Sequence, residues 1–573
     1  MAVLQPLIDL VELCHLHGVT QAVISPGSRS AALTLALARN PHIQCTVVMD
    51  ERAAGFVALG MAQQLGKPVV LVCTSGSAGY NFAPAVTESF FQHVPLLVLT
   101  ADRPKEWIHQ NDGQTIYQTG LYGPHVKSVY ELPADYVHPD AVWFINRSVN
   151  EALLTSMEVP YGPVHINIPI REPFYPQSGE SFLPSSNIRV VERSEIQPTL
   201  PNSVWHTLLE EWEETERILI AVGQHLPDPA LGSALVKLAE EFQIPVIAEC
   251  LGNLPVHELA LSRIDLILSN SNSDLLKPDL LITIGQSFVS KNFKKFIRDN
   301  PPKQHWHISE DRHLIDPFQT IARQINISPS AFFSKVFEDL DYLRFVQHED
   351  GGQDEKYLEA WLSAERKIKR KIFRFLENLT LFTDLTAVDF ILKNIESPAQ
   401  LHVANSMPIR YVTKMGLDRD RIEVYANRGT SGIDGCLSTA LGAALMTQLP
   451  VYLLIGDVAF FYDRNGLLIS DLPPNLRIIL LNNSGGTIFR MIEGPASQPE
   501  LERYFETRHS YTARRTAEDS GLKYFTVETM EELTNAWPTF TDAKGTSLLE
   551  IKTDPQADAE VFRQLKQAVL TGS

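Results

Sequence analysis

Short apolar runs that stop at a glycine or small polar turn recur along this chain, separated by stretches with helical spacing. QAVIS, CTVVM, PVVLVC and PLLVLT fall within the first 185 residues, with ERAAGFVALGMAQQL as a helix between two of them. The rhythm returns in RILIAVG, IPVIAE and LLITIG, and again in LHVANS, IEVYANRG, VYLLIGD and RIILLNN. Strands alternating with helices in this way imply βαβ units and parallel sheets. Two polar stretches divide the sets, PQSGESFLPSS at 176–186 and VQHEDGGQDEKY at 346–357. The expected architecture is α/β, with three parallel-sheet domains at 1–185, 190–345 and 355–573. A chain of 573 residues accommodates that number at about 150 residues per domain.

Hydrophobic residues make up 44% and charged residues 20%, a globular balance. No run approaches the length of apolar sequence that spans a membrane, and Asp9, Glu12 and His15 interrupt the N-terminal segment where an export signal would be apolar. The chain therefore reads as soluble, unexported and cytoplasmic. Cys14, Cys45, Cys73, Cys250 and Cys436 are odd in number and lack CxxC spacing, so buried reduced thiols are expected. A formal charge of −19 opposes nucleic acid and anionic membrane surfaces as partners, while leaving room for small anions bound by locally concentrated cations. The glycine-rich turns at 25–28, 74–79 and 432–435 do not form GxGxxG followed by a ribose-binding acid, so no nicotinamide dinucleotide site is expected.

The segment VYLLIGDVAFFYDRNG carries the strongest chemical signal when read with RIILLNNSGGTIF. One apolar strand ends in Gly456-Asp457 and the next in Asn482-Asn483, and parallel strands bring both ends to the carboxyl edge where ligands bind. Asp457, the amide oxygen of Asn483 and the main-chain carbonyl of Gly485 offer three hard oxygen ligands. That set suits Mg2+, which commonly completes its shell with substrate phosphates and water. Either dipeptide alone is an ordinary turn; the pair, each after a buried strand, is more specific.

This GD…NN pair resembles the metal-diphosphate motif of the thiamin diphosphate-dependent enzymes, with Val458 where that family usually has glycine. The resemblance extends through SPGSRS (25–30), DERAAGFVALGMA (50–62), TSGSA (74–78), LTADRP (99–104), NRGTSGIDG (427–435) and NNSGGTIF (482–489). It narrows to the branch that decarboxylates 2-oxoglutarate and adds the carbanion to isochorismate, a transferase of menaquinone and phylloquinone biosynthesis. What it implies is a pyrimidine-binding N-terminal domain, a central domain and a diphosphate domain. The cofactors would be thiamin diphosphate with Mg2+ or Mn2+. Glu51 would be the catalytic carboxyl group at the aminopyrimidine ring, relaying general acid–base catalysis through the cofactor. Ile433 would hold the two thiamin rings bent, and Ser75 and Gly76 would join the cofactor site.

Substrate residues follow from the same resemblance: Arg29, Arg103, Gln114, Lys291, Ser406, Arg410 and Arg428, with Ile488 and Phe489 as walls. Two dicarboxylate substrates would need such cations, preferably arginine for two-pronged pairing. A homodimer or dimer of dimers is implied, with the cofactor clamped between subunits. The competing readings are an acetohydroxyacid synthase-like enzyme or simple 2-oxo acid decarboxylase, and a non-catalytic nucleotide-binding α/β protein. The sequence lacks the adjacent histidines usual in the decarboxylases.

Overall fold

The computed structural model describes residues 4–176, 182–194, 198–269, 274–338, 355–492 and 494–570. Much of both polar stretches, 177–181 and 346–354, lies outside the described residues. Three six-stranded parallel sheets with flanking helices make up the architecture. The first contains β1 (Gln21–Ile24), β2 (Gln44–Val47), β3 (Val69–Cys73), β4 (Leu96–Asp102), β5 (Val129–Glu131) and β6 (Val164–Pro169), in spatial order 2-1-3-4-6-5. The second contains β7 (Ile218–Val222), β8 (Val246–Ala248), β9 (Ala260–Leu261), β10 (Leu280–Ile284), β11 (Gln304–Ile308) and β12 (Arg323–Ile325). The third contains β13 (Ala399–Val403), β14 (Ile422–Tyr425), β15 (Val451–Gly456), β16 (Leu476–Asn482), β17 (Lys523–Val527) and β18 (Ser547–Lys552).

The third sheet runs 14-13-15-16-18-17, which is the order of the first sheet counted from its own first strand. The middle sheet runs 12-11-10-7-8-9, the doubly wound dinucleotide order, although its strands end without the glycine fingerprint. All the apolar runs anticipated from sequence are strands, and β3, β7, β10 and β13 are buried at every position. Burial on both faces is what a sheet covered by crossover helices demands.

Contacts cross the expected boundaries. Residues 182–191 return to the first domain: Ser185 donates to Asp9 at 2.8 Å, and the Val191 N–H donates to Asn150 at 2.7 Å. Helix Glu355–Glu377 bridges the second and third domains, with Glu365 paired to Arg263 at 2.9 Å and Lys371 donating to the Val569 carbonyl at 2.7 Å.

The first and third domains meet through helices Glu51–Leu65 and Cys436–Met446. The former starts at Asp50, whose side chain accepts from the Ala53 N–H, and stops at Gly66 in the left-handed conformation. Glycines permit the close crossing. A Cβ at Gly60 would fall 2.0 Å from the Thr439 carbonyl oxygen, and one at Gly442 would fall 2.0 Å from that of Val57. No side-chain rotation relieves a clash with backbone. Gly442→Val is therefore expected to destabilise the protein by about 3 kcal/mol or more, the severe end of overpacking. Denaturant unfolding checks this, and an unchanged midpoint would contradict the backbone contact.

Candidate active site

Each terminal domain reverses its strand order beside its first strand, and most of the candidate residues cluster at those two reversals, the position where open α/β sheets bind ligands. In the first domain β1 runs into Ser25–Arg29 and β3 into Thr74–Gly76, and the Arg29 N–H donates to Thr74 Oγ1 at 3.3 Å. A cavity of about 500 Å³ opens there, lined by Glu51, Ser75, Gly76, Asn81, Asp112 and Gln114 among others. Glu51 occupies the first turn of its helix, half-buried.

Arg103 follows β4 and pairs with Asp112 at 2.7 Å, while its Nε donates to the Gly113 carbonyl at 3.1 Å. Arg29 is buried, donates to the Ile170 carbonyl at 3.2 Å and lies over the Phe174 ring at 4.4 Å. Burial, then the positive charge of Arg103, holds the Arg29 guanidinium below its ordinary pKa. Two cations that repel each other behind Thr74 and Asp112 of the cavity wall are suited to an anionic ligand.

The second reversal carries Asp457 and Asn483, both buried. Asp457 begins helix Asp457–Asp463; it accepts from the Val458 N–H at 2.7 Å and the Gly485 N–H at 2.8 Å. His509 Nε2 stands 3.3 Å from its Oδ2. The Asn483 carboxamide is fixed at its nitrogen end, donating to Asp384 at 3.0 Å and Asp558 at 3.2 Å. Burial, and then Asp558, hold the Asp384 carboxyl well above the usual carboxylate range, and burial raises Asp558 to about 6.

With its NH₂ committed to two carboxyl groups, Asn483 retains its oxygen for a cation. The Gly485 carbonyl accepts from the Thr487 N–H at 3.0 Å and keeps a second lone pair. Among the described residues no group of three or more His, Cys, Asp or Glu is arranged to hold a metal. The fit therefore rests on one carboxylate, one amide oxygen and one carbonyl, a set compatible with Mg2+ or Mn2+ sharing its shell with a diphosphate.

Beside this edge, Lys291, Arg410 and Ile488 line one cavity of about 350 Å³. The Ser406 carbonyl accepts from Arg410 Nη1, and Phe489, next to Ile488, packs its ring 5.8 Å from that of Phe505. Ile433 lies in a loop shaped by Asn405, which donates to the Asn427 carbonyl at 2.7 Å and the Gly432 carbonyl at 2.6 Å. Arg428 stands apart from the Lys291 cavity. It donates to Asn405 at 2.9 Å and lines a separate cavity of about 740 Å³ between all three domains, with Lys127, Lys294 and Arg312. Among the described residues, none of the third domain lines the Glu51 cavity.

All five cysteines are unpaired, with Cys14, Cys73 and Cys436 buried; Cys45 and Cys250 are half-buried instead, since Cys45 lies on β2 at the sheet edge. Sequence reasoning did not find Asp384, Asp558 or His509, and no local motif marks them.

The chain matches the thiamine pyrophosphate enzyme N-terminal TPP binding domain over residues 9–121 and the middle domain of thiamine pyrophosphate over 193–341. It is similar to 2-succinyl-5-enolpyruvyl-6-hydroxy-3-cyclohexene-1-carboxylate synthase of Cytophaga hutchinsonii, at 41% identity over 99% of each chain. The synthases of the same name from Bacteroides thetaiotaomicron and Porphyromonas gingivalis are 35% and 36% identical. These alignments cover 98% and 97% of this chain and 99% and 95% of theirs. Identity at that level over the whole length, on a fold with two half-sites at equivalent sheet edges, places this chain in the 2-succinyl-5-enolpyruvyl-6-hydroxy-3-cyclohexene-1-carboxylate synthase family of thiamin diphosphate-dependent enzymes.

Proposed function

We propose that the chain decarboxylates 2-oxoglutarate and adds the four-carbon remainder to isochorismate, a transferase step of menaquinone or phylloquinone biosynthesis. The C1–C2 bond of the oxo acid breaks, CO2 leaves, a new carbon–carbon bond forms by conjugate addition, and the acceptor carbon beside the isochorismate carboxylate takes up one proton. The observation that carries this reading is the Arg29–Arg103 pair beside the Glu51 cavity, reached through Thr74 and Asp112. One buried and one half-buried arginine beside that cavity match dicarboxylate substrates in a chain that is acidic overall.

Thiamin diphosphate, when bound, supplies the carbon acid and electron sink for decarboxylation. Glu51 would exchange a proton with the pyrimidine nitrogen, while Asp457, Asn483 and Gly485 would hold Mg2+ or Mn2+ together with the diphosphate. Ser75 and Gly76 would frame the pyrimidine side, and Ile433 would support the cofactor's rings. Arg29, Arg103 and Gln114 take isochorismate. Lys291, Ser406 and Arg410 bind carboxylate groups, with Ile488 and Phe489 limiting the space. We assign Arg428 to the substrate side through its contact with Asn405 and its charge beside Arg410.

A homodimer completes the site, Glu51 of one copy facing Asp457 of the other. The support is an exposed apolar face beside Glu51. The Val48–Ile469 bridge brings together Val47, Met49 and Leu468, which are 49%, 69% and 48% exposed, and Tyr462, 55% exposed, is tied to the same helix start by Arg52. Large apolar side chains left exposed in one region are suited to burial by a second copy. Five unpaired thiols suit the reducing cytoplasm.

Incubation with both substrates, thiamin diphosphate and Mg2+ is expected to consume them and release CO2, with the adduct identified by mass. Chelation of the metal is expected to stop the reaction and re-addition to restore it. Absence of an isochorismate-dependent adduct would overturn the substrate assignment. In Arg29→Ala, use of isochorismate is expected to weaken by about 2–5 kcal/mol, the scale for removing one buried charge partner, and in Arg103→Ala, where the guanidinium is half-buried and screened, by less. Decarboxylation of 2-oxoglutarate alone should suffer less. Equal loss in both partial reactions would place the arginines at the cofactor or in the framework.

A further inference from the structure

Gln118 has no part in the motifs of the site, yet three segments that carry site residues converge on it. It is 2% exposed in the loop after Gln114. Its Oε1 accepts from the Gly76 N–H at 2.8 Å, and its Nε2 donates to the Ala101 carbonyl at 3.1 Å and to Asn167 Oδ1 at 3.0 Å. Asn167, on β6, also accepts from Thr100 at 2.9 Å and donates to Asp102 Oδ2 at 2.9 Å. Asp102 Oδ1 accepts from the Arg103 N–H at 2.7 Å.

The Ser75–Gly76 turn, the Arg103 corner and the 112–118 loop are thus hydrogen-bonded to one buried amide pair. The fit at the far end is close. Gly76 has φ +89, and a Cβ there would lie 3.2 Å from the Gln114 Cα, while Gln114 itself has φ 56. Gln114 is exposed, and no side-chain hydrogen bond of its own fixes it among the described contacts, so its place depends on the loop beneath it.

We propose that Gln118, seated on Asn167, is a positioning residue for the isochorismate side of the site. It clamps the Gly76 turn to the 112–118 loop and so sets Gln114 and Arg103 at fixed places. The proposal rests on the reading of those two residues as isochorismate-binding. The titratable groups that face the amide pair are Asp102, through Asn167, His165, through Thr100 at 2.8 Å, and Glu131, which accepts from Thr119 at 2.8 Å beside Asn167.

Gln118→Met keeps the side-chain length and removes both hydrogen-bonding ends. It is expected to raise KM for isochorismate about tenfold or more, the scale of one or two buried hydrogen bonds. The rate of 2-oxoglutarate decarboxylation without isochorismate, and the circular-dichroism response to thiamin diphosphate, feel the change only through the Gly76 turn and should fall by clearly less than the isochorismate step. Gln118→Glu can still accept from Gly76 but sets a carboxylate against the Ala101 and Asn167 oxygens. Its isochorismate KM is expected to be high at pH 8 and to fall toward pH 6, as the protonated carboxyl recovers a donor. An unchanged KM in Gln118→Met, equal loss of both partial reactions, or a pH-independent defect in Gln118→Glu would overturn the proposal.

If Gln118→Met does not fold, Asn167→Asp carries the same KM and pH comparison. Hydrogen exchange separates this proposal from the substrate reading: amides of Gly76 and 112–118 should exchange faster in Gln118→Met by about tenfold or more. Faster exchange in a protein whose wild type makes no isochorismate adduct removes the substrate reading and leaves the clamp. Unchanged exchange removes the clamp itself.

Discussion

Everything at the candidate site depends on how closely two helices cross. Gly60 against the Thr439 carbonyl and Gly442 against the Val57 carbonyl bring the first and third domains into backbone contact. That contact fixes the start of the Glu51 helix against the region that follows Asp457. Asn465 donates to Asp50 at 2.8 Å, and Arg52 donates to the Tyr462 carbonyl at 2.8 Å. At the other side the buried Glu88 accepts from the Gly429 and Thr430 N–H groups at 2.8 and 2.6 Å, anchoring the loop that carries Ile433. A carboxylate buried between domains is tolerated because main-chain donors satisfy it.

The matching topology of the terminal sheets gives this docking its chemical consequence. Both place a strand-order reversal at the carboxyl edge, one furnished with Glu51, Ser75 and Gly76 and the other with Asp457 and Asn483. One edge offers the Glu51 carboxyl group with cations beside it; the other offers oxygen ligands and buried carboxyl groups. Neither set suffices for a cofactor that has an aromatic ring at one end and a diphosphate at the other. Division of labour between two similar domains is therefore built into the fold, and a net charge of −19 is no obstacle when burial fixes Arg29 and pairing with Asp112 fixes Arg103 near each other.

The legible part of the fold was the part whose burial is purely apolar. β3, β4, β7, β10, β13, β15 and β16 read as strands because nearly every side chain enters a core. β6 and β18 were missed although buried, because His165, Asn167 and Glu550 interrupt the apolar pattern. Their partners lie far along the chain, Thr100 for His165 and Asn482 for Glu550, and only the folded sheet brings them together. The same limit applied at the site. Asp457 and Asn483 announce themselves by their position after strands, whereas Glu51, an ordinary first-turn acid by position, stands out only through the resemblance of DERAAGFVALGMA to the family. Asp384 and Asp558 act on Asn483 from 99 and 75 residues away, and Gly60 and Gly442 look like ordinary small residues of helices until the backbones meet.

The division of the site between copies is tested most directly by mixing two inactive proteins, Glu51→Gln and Asp457→Ala, under conditions where subunit exchange is verified. If Glu51 of one copy faces Asp457 of the other, each mixed dimer contains one site with both defects and one intact site. Activity should then return to about a quarter of wild type at equal mixing, since about half the dimers are mixed and each has one working site. No recovery in verified mixed dimers would contradict the shared site and place Glu51 and Asp457 in the same copy's active site.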